Sequence, residues 1–308
     1  FEDIAGSFGW CMADYNTHRD FGSGDRICYH GVLDMFRNPK MAAAVYASQQ
    51  EKEVVLEVGS GMDIGEHPAS RRGEVWIFTN ADSVKMYKNG RFLKEYVPHN
   101  EKFGHMNYSP ILIDDYIGNA IVENEDFSPK HAELLKTALN HIALYGYGQL
   151  PPKILWIAFQ CMVFYRMSRE EIVDLYTKYI GDWGGTATEY KFEAIKDGKV
   201  VKTVIKTTMN KPSLKVDVSS DTLEEKNSYD VAAVRIRAVD ENENTLYYCG
   251  EALRLSVEGP LELIGPEIVP LRGGMTGTYV KTTGEKGTGI LTVSNPQLGE
   301  VKIEFRAK

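Results

Sequence analysis

Short alternations of hydrophobic and polar residues run through most of this chain and predict β-strands. Two of them meet at Asn89-Gly90 and two at Asp197-Gly198, dipeptides that favour two-residue hairpin turns. In the last third of the chain the alternation returns, over a length typical of one immunoglobulin-like sandwich. The pattern predicts two antiparallel β-sandwiches, one in residues 51–127 with 184–210 and one in residues 211–308.

Between the two parts of the first sandwich, the spacing of apolar residues becomes that of helices. Ser128-Pro129 places an N-cap residue before a proline, which favours a helix start. A second apolar run follows Pro151-Pro152, and residues 168–171 have the capping-box pattern of a third helix. Residues 128–183 are therefore predicted to be a three-helix insertion.

The first 50 residues have a different pattern. Residues 6–13 form a short, mostly apolar run, typical of a strand that is buried on both faces. A polar loop over residues 14–24 follows, and residues 40–48 are strong helix formers behind Pro39. One strand, one loop and one helix cannot bury themselves alone. Residues 1–50 are therefore either the last unit of an α/β domain or an arm packed on something else.

Composition narrows the class of protein and its partners. The 308 residues are 43% hydrophobic and 25% charged, with a net charge of −8, which is ordinary for a globular protein. No apolar stretch approaches the roughly 20 residues of a membrane-spanning helix, and no basic face is evident. Neither membrane nor nucleic acid is expected as a partner. The four cysteines form no CxxC or CxxH pair, so no zinc site is expected. A core of this size does not need disulfides, so a reducing cytoplasm is the expected location. Because the chain begins at Phe1 without Met or a signal peptide, we expect a piece of a longer protein.

One cluster of chemistry-bearing side chains follows the first apolar run. It spans 21 residues and contains Trp10, Asp14, Tyr15, Asn16, His18, Arg19, Asp20, Asp25 and His30. An aromatic face takes the apolar side of a sugar ring, while carboxylates, amides and imidazoles bind its hydroxyls. The cluster indicates a sugar site. The alternative is a polar surface loop after a core strand, which the composition alone favours.

Other candidate sites are weaker. Asp114-Asp115 lacks the ladder of ligands that calcium loops have, so a solvated turn is predicted and no metal site. His131 and His141 are predicted to lie on helix surfaces. Arg272-Gly273-Gly274 is glycine-rich but lies among predicted strands, without a helix to bind phosphate. No cofactor is predicted.

Several motifs carry a family resemblance. They are Trp10, the pair Asp14-Tyr15, the step His30-Gly31 and the step formed by Arg37, Pro39 and Lys40. With them, residues 6–49 resemble the end of the TIM barrel in glycoside hydrolase family 2, in its bacterial β-galactosidase branch. Residues 75–90, with their Thr-Asn-Ala and Asn-Gly steps, are similar to the family's C-terminal sandwich, and residues 234–240 resemble a further sandwich found in many members.

The resemblance implies a fold class and a role. The fold is mainly β, with two immunoglobulin-like sandwiches and a three-helix insertion, preceded in residues 1–50 by the last strand–helix unit of a TIM barrel. The activity is that of a retaining glycosidase with two catalytic glutamates. We expect both of them upstream of residue 1, so that no catalytic residue lies in this chain. The chain would supply one wall of the sugar subsite, made of the substrate-binding residues Trp10, Asp14, Tyr15, His18 and His30.

The sequence of the loop also indicates which sugar the parent enzyme would accept. Members that act on glucuronides resemble one another in an Asn-x-Lys before the loop glycine, where the lysine pairs with the sugar carboxylate. The matching residues 28–30 are Cys-Tyr-His, and Lys40 lies past the loop. A buried carboxylate without a cationic partner is costly. A terminal β-galactoside is therefore predicted as the substrate, and a β-glucuronidase-type parent enzyme is the alternative.

Two other functions fit the sequence. A carbohydrate-binding or adhesion module would use Trp76, Tyr87 and Tyr96, although strand alternation favours packing of these rings within the sandwich. A structural interaction protein would use the helical segment as its contact surface. The sequence leaves a homo-oligomer open.

Overall fold

A computed structural model describes residues 5–20, 24–62, 71–98, 100–148, 150–181 and 187–308. Phe1 and part of the predicted 14–24 loop lie outside these residues. The chain divides into two compact units, one joining the chain up to Ala43 with Met209–Lys308 and the other formed by Ala44–Thr208. The predicted class, mainly β with sandwich domains, is confirmed. The domain boundaries at residues 50, 127, 183 and 210 stay predictions.

The C-terminal sandwich has two sheets. In spatial order, one contains Ser213–Val218, Val231–Val239, Met275–Thr282 and Leu261–Ile264, and the other contains Thr222–Leu223, Gly299–Ala307, Gly287–Asn295, Ala252–Glu258 and Ile268–Pro270. All pairs are antiparallel except that of Thr222–Leu223 with Gly299–Ala307. Alternation buries Val234 and Ile236 of one sheet against a core that includes Phe305 of the other.

The described part of the second unit also contains two sheets. In spatial order, one has Leu56–Val58, Val75–Thr79 and Ile111–Ile113, and the other has Arg91–Tyr96, Ser83–Lys88, Tyr190–Lys196 and Lys199–Lys206. Both predicted hairpins are present. Asn89 and Gly90 have φ values of 48° and 77°, and Asp197 and Gly198 have 51° and 72°. Positive φ at both turn residues matches the twist of the paired strands, which explains why these dipeptides specify the turns.

The helices that follow Ser128 and Ser168 begin at these predicted capping residues. The α-helices are Met41–Ala47, Asn100–Phe103, Ala120–Asn124, Pro129–Tyr145, Pro152–Phe159 and Arg169–Tyr176, with π-helical turns at Gln160–Phe164 and Thr177–Gly181. Ser168 Oγ accepts a hydrogen bond from the backbone N of Glu171 at 3.1 Å, and the Glu171 carboxylate accepts one from the Ser168 N at 2.6 Å. This reciprocal pair is the predicted capping box. Among the described residues, no helix is long and apolar enough to cross a membrane, and the cytoplasmic location stays a prediction.

Ser168→Ala is expected to lower the free energy of unfolding of the second unit by about 1 kcal/mol, since it removes the acceptor for one backbone N–H of the first turn of Arg169–Tyr176. Urea unfolding followed by far-UV circular dichroism measures the change. Ser168→Thr keeps the hydroxyl and should lose only a few tenths of a kcal/mol. An alanine variant as stable as the threonine variant would contradict the cap's contribution.

His131 does not lie on a helix surface, so that prediction is wrong. Its residue surface is only 5% exposed. The imidazole stacks on Tyr165, with ring centroids 3.8 Å apart and planes within 4°, and it also contacts Phe127. This burial lowers the pKa of His131 and favours the neutral ring. The face of Pro129–Tyr145 that carries His131 is covered by residues from the end of the next helical segment.

Asp115 is buried rather than part of a solvated turn, so the sequence prediction is wrong here too. Its carboxylate accepts hydrogen bonds from the backbone N of Ile117 and of Gly118, each at 2.9 Å, and lies 2.7 Å from Lys136 Nζ. Burial by itself raises the pKa of Asp115, but these donors and the Lys136 charge outweigh it and hold the pKa below its ordinary value. The carboxylate therefore organises the start of a helical turn.

Candidate functional site

The segment before the candidate site is not the buried strand that its apolar pattern predicts. Trp10 is 76% exposed, and Phe8 is fully exposed. Pairing is confined to a short ladder: Val32 and Leu33 donate backbone hydrogen bonds to the carbonyls of Cys11 and Met12 at 3.1 and 2.9 Å. Within the described part of the chain, no strand flanks residues 6–10. The apolar side chains of residues 6–10 therefore remain largely in solvent.

A tyrosine holds the edge of the Trp10 indole. Tyr15–Asn16 pairs with Ile27–Cys28 in a small antiparallel sheet. Trp10 Nε1 donates a hydrogen bond of 3.1 Å to the Tyr15 hydroxyl, and the two rings meet edge to face with centroids 6.3 Å apart. Interaction with the Cys28 side chain raises the pKa of Tyr15, so the phenol is neutral near pH 7. The indole is thus held by its edge and exposed elsewhere.

Asp14 forms the buried centre of the loop. Only 6% of its surface is exposed. Its Oδ1 accepts hydrogen bonds from the backbone N of Gly31 at 2.9 Å and from Lys40 Nζ at 2.6 Å. Lys40 also donates to the Tyr29 carbonyl at 3.2 Å. A buried carboxylate needs such a cation and such donors, so the arrangement fixes the beginning and the end of the loop to each other.

The two histidines of the predicted set have different surroundings. His18 is largely exposed, and its Nδ1 accepts a hydrogen bond of 3.2 Å from the backbone N of Asp20. His30 Nδ1 lies 3.1 Å from the Cys28 sulfur. In the part of the chain that the structure describes, no hydrogen bond joins His18 to Trp10 or Asp14. The structure thus brings Trp10 together with Tyr15, and Asp14 with Lys40, while His18 stands apart.

Arg272 is a part of this region that the sequence does not connect to the loop. Its Nη1 donates a 2.6 Å hydrogen bond to the carboxylate of Asp25 and also contacts the Tyr29 hydroxyl. Burial and the hydrogen bond to Asp25 raise the pKa of Tyr29. Arg272 and Asp25 are 247 positions apart, a separation at which no local spacing pattern can pair two charges. The predicted glycine-rich candidate at residues 272–274 instead supplies an anchor for the loop.

A second anchor lies on the strand Met275–Thr282. The Phe36 ring packs where Gly277 has no side chain, and it is tilted against Tyr279 with centroids 5.8 Å apart. Asn38 Nδ2 donates a hydrogen bond of 2.9 Å to the Thr276 carbonyl. These contacts pack Phe36 and Asn38 on the C-terminal sandwich, and both sequence interpretations of the first 50 residues stay predictions. Among the described residues, no group of three or more His, Cys, Asp or Glu side chains is placed to hold a metal ion.

Sequence comparison relates the chain to bacterial enzymes. No protein-family model matches it. A curated β-galactosidase from Thermoanaerobacterium thermosulfurigenes is 30% identical over 278 residues, covering 89% of this chain and 31% of that protein. A β-galactosidase from Thermoanaerobacter pseudethanolicus (strain ATCC 33223 / 39E) is 25% identical over 303 residues, covering 97% of this chain and 33% of that protein. The chain spans about a third of the length of these curated relatives.

Solved structures share the fold. A β-glycosidase from Bacteroides vulgatus aligns with a TM-score of 0.57 and 17% identity, over 96% of this chain and 30% of that chain. A β-glucuronidase from glycoside hydrolase family 2 aligns with a TM-score of 0.52 and 14% identity, over 92% of this chain and 23% of that chain. The sequence relatives and the shared fold together confirm the resemblance of this chain to the C-terminal portion of glycoside hydrolase family 2 proteins.

Proposed function

We propose that the protein to which this chain belongs is a retaining glycoside hydrolase that acts on terminal β-galactosides, and that residues 10–40 supply one wall of its sugar subsite. The observation that carries the proposal is the Trp10 indole, 76% exposed and held at its edge by Tyr15. An exposed indole face takes the apolar side of a pyranose ring. The similarity to β-galactosidases supports the same assignment. The two catalytic carboxylates are proposed to come from the rest of the protein.

The remaining residues of the predicted wall have three roles in this proposal. Asp14 organises the loop, because its Oδ1 is already bonded to Gly31 and Lys40. Tyr15 positions Trp10 through the bond to its indole nitrogen. His18 and His30 are proposed as hydroxyl contacts, since each imidazole nitrogen can donate or accept a hydrogen bond.

The surroundings of Lys40 favour a galactoside over a glucuronide. Its ammonium is bonded to the Asp14 carboxylate and to the Tyr29 carbonyl. A sugar carboxylate would have to compete with Asp14 for this charge, which would leave one of the two anions without a cation at a buried site. A β-glucuronidase-type parent enzyme is therefore the less favoured alternative, although one solved structure of similar fold is described as a β-glucuronidase.

Trp10→Ala in the full-length protein is expected to lower kcat/KM on an aryl β-galactoside by about ten- to a hundredfold, which corresponds to roughly 1.4–2.7 kcal/mol of transition-state binding. The loss arises because the sugar ring no longer has its apolar platform. Tyr248→Ala, at a fully exposed aromatic of the C-terminal sandwich, is the matched control and should keep the activity. An unchanged kcat/KM for Trp10→Ala would refute the assignment of Trp10 to the sugar subsite. Faster turnover of the matching β-glucuronide than of the β-galactoside by the wild-type protein would refute the proposed substrate.

The carbohydrate-binding alternative receives no support from its aromatic residues. Tyr96 is only 5% exposed. Trp76 is half-buried with its ring against Phe103, and Tyr87 is half-buried with its ring against Phe92. Rings that pack edge to face against neighbours in this way stabilise the sheet. They do not form a row of open platforms.

A further inference from the structure

A large cavity lies between the N-terminal arm and the C-terminal sandwich of the first unit. Its volume is about 780 Å³, within the usual range for small-molecule sites. The arm contributes Met35, Phe36 and Met41 to the wall, and the sandwich contributes Ile264, Val269 and Met275. The walls are thus mainly apolar side chains from two distant parts of the chain. Such a surface favours the apolar body of a ligand.

One group on this wall is polar, deeply buried and only partly bonded. Asp14 lines the cavity and is more than nine-tenths buried. Its Oδ1 has two donors, Gly31 N and Lys40 Nζ. None of the described residues donates a hydrogen bond to Oδ2. Because Asp14 lines the cavity, a ligand that donates a hydrogen bond to Oδ2 would form a charge-assisted bond there.

The charges on the wall limit the ligand further. Lys40 and Arg272 both line the cavity. Lys40 is bonded to Asp14, and Arg272 is bonded to Asp25 at 2.6 Å. Each cation is therefore already neutralised by a carboxylate of the loop. An acidic ligand would have to displace one of these ion pairs, whereas a neutral donor would leave both intact.

From these observations we propose that the cavity is a binding site for a small neutral amphipathic molecule, with an apolar ring or alkyl body and a hydroxyl group at one end. The body lies against the Phe36 and Ile264 side of the cavity, and the hydroxyl donates to Asp14 Oδ2. The site goes beyond the proposed glycosidase function and does not depend on it, since none of the residues proposed to contact the sugar, Trp10, His18 and His30, is required.

The test uses two probes that differ in one donor, 4-butylphenol and its methyl ether 4-butylanisole, titrated calorimetrically into the full 308-residue chain. The phenol is expected to bind at least about tenfold more tightly than the ether, because only the phenol can donate to the carboxylate. Equal affinities, or no binding of the phenol, would overturn the proposal. Neither result bears on activity toward a glycoside.

A matched pair of variants locates the site. Ile264→Trp enlarges a wall residue that is 41% exposed, and it should weaken binding of the phenol by about tenfold or more by filling the cavity. Ile268→Trp makes the same change at a 56% exposed position of the same sandwich that is not on the wall, and it should bind like the wild type. Thermal unfolding confirms that both variants fold. Unchanged binding by Ile264→Trp, or equal loss in both variants, would show that the phenol binds elsewhere.

Discussion

Gly31→Ala is expected to undo the packing of the candidate loop. A Cβ atom on Gly31 would lie 2.2 Å from the backbone N of Asp14, and 2.4 Å from both the carbonyl carbon of Ala13 and the carbonyl oxygen of Leu33. All three are backbone atoms, so no side-chain rotation can relieve the contact. Overpacking of this kind costs about 3 kcal/mol or more when the backbone has to move. The N–H of Gly31 also donates to Asp14, so the same shift strains the buried carboxylate.

The effect is local and can be measured by hydrogen exchange. In the wild-type chain the Asp14 N donates to the Leu33 carbonyl at 3.0 Å, and the Leu33 N donates to the Met12 carbonyl at 2.9 Å. Both amides should lose their protection in Gly31→Ala. Gly6→Ala is the matched control, because nothing lies within 4 Å of a Cβ at that position. Protection in Gly31→Ala equal to that in Gly6→Ala would show that the loop tolerates the contact.

The features that the sequence predicts well are those whose physics is local. The hairpin at Asn89-Gly90 needs positive φ at two adjacent residues, and this dipeptide adopts it readily. The Ser168 capping box joins groups three residues apart. In both cases the interacting groups lie within one turn of the chain. The pattern of residue types therefore contains all the information that the structure uses.

Burial that depends on distant segments is harder to predict. Residues 6–13 have the composition of a buried strand, but a strand also needs neighbours for its backbone and both faces, and the described chain offers only the short ladder at Val32 and Leu33. His131 shows the opposite error. An imidazole on a helix indicates a surface position, yet Tyr165 covers it from 34 residues further along the chain. Neither outcome follows from periodicity, because each depends on what packs against the segment.

The candidate site contains both local contacts and contacts between residues far apart in the sequence. Trp10 and Tyr15 are five residues apart, and their contact is within reach of a sequence argument. The cation of the Asp14 pair lies 26 positions further on, and that of the Asp25 pair 247 positions further on. A family motif can point to Lys40, but only the fold selects Arg272. The sequence therefore identifies the functional side chains of the loop, whereas one of the contacts that anchor the loop, Arg272, comes from the distant C-terminal sandwich.

Lys40→Met is expected to lower the free energy of unfolding of the first unit by about 3 kcal/mol. The substitution keeps the length and the apolar stem of the side chain but removes the cation from a carboxylate whose side chain is only 4% exposed. Breaking a buried ion pair on one side is costly because the remaining charge is desolvated without compensation. Chemical unfolding followed by tyrosine and tryptophan fluorescence measures the change.

The double variant Asp14→Asn with Lys40→Met separates the charge effect from lost packing. The neutral amide needs no cation, and its oxygen can still accept the hydrogen bond from Gly31 N. Most of the stability lost in Lys40→Met should therefore return. Lys226→Met removes the cation of an exposed pair with Glu224, 3.3 Å apart, and should change the stability by less than about 0.5 kcal/mol. Two results would contradict this dependence of Asp14 on Lys40: a loss of stability in Lys40→Met as small as that in Lys226→Met, or a further loss when Asp14→Asn is added. The loop would then have to be held by its Gly31 and Arg272 contacts alone.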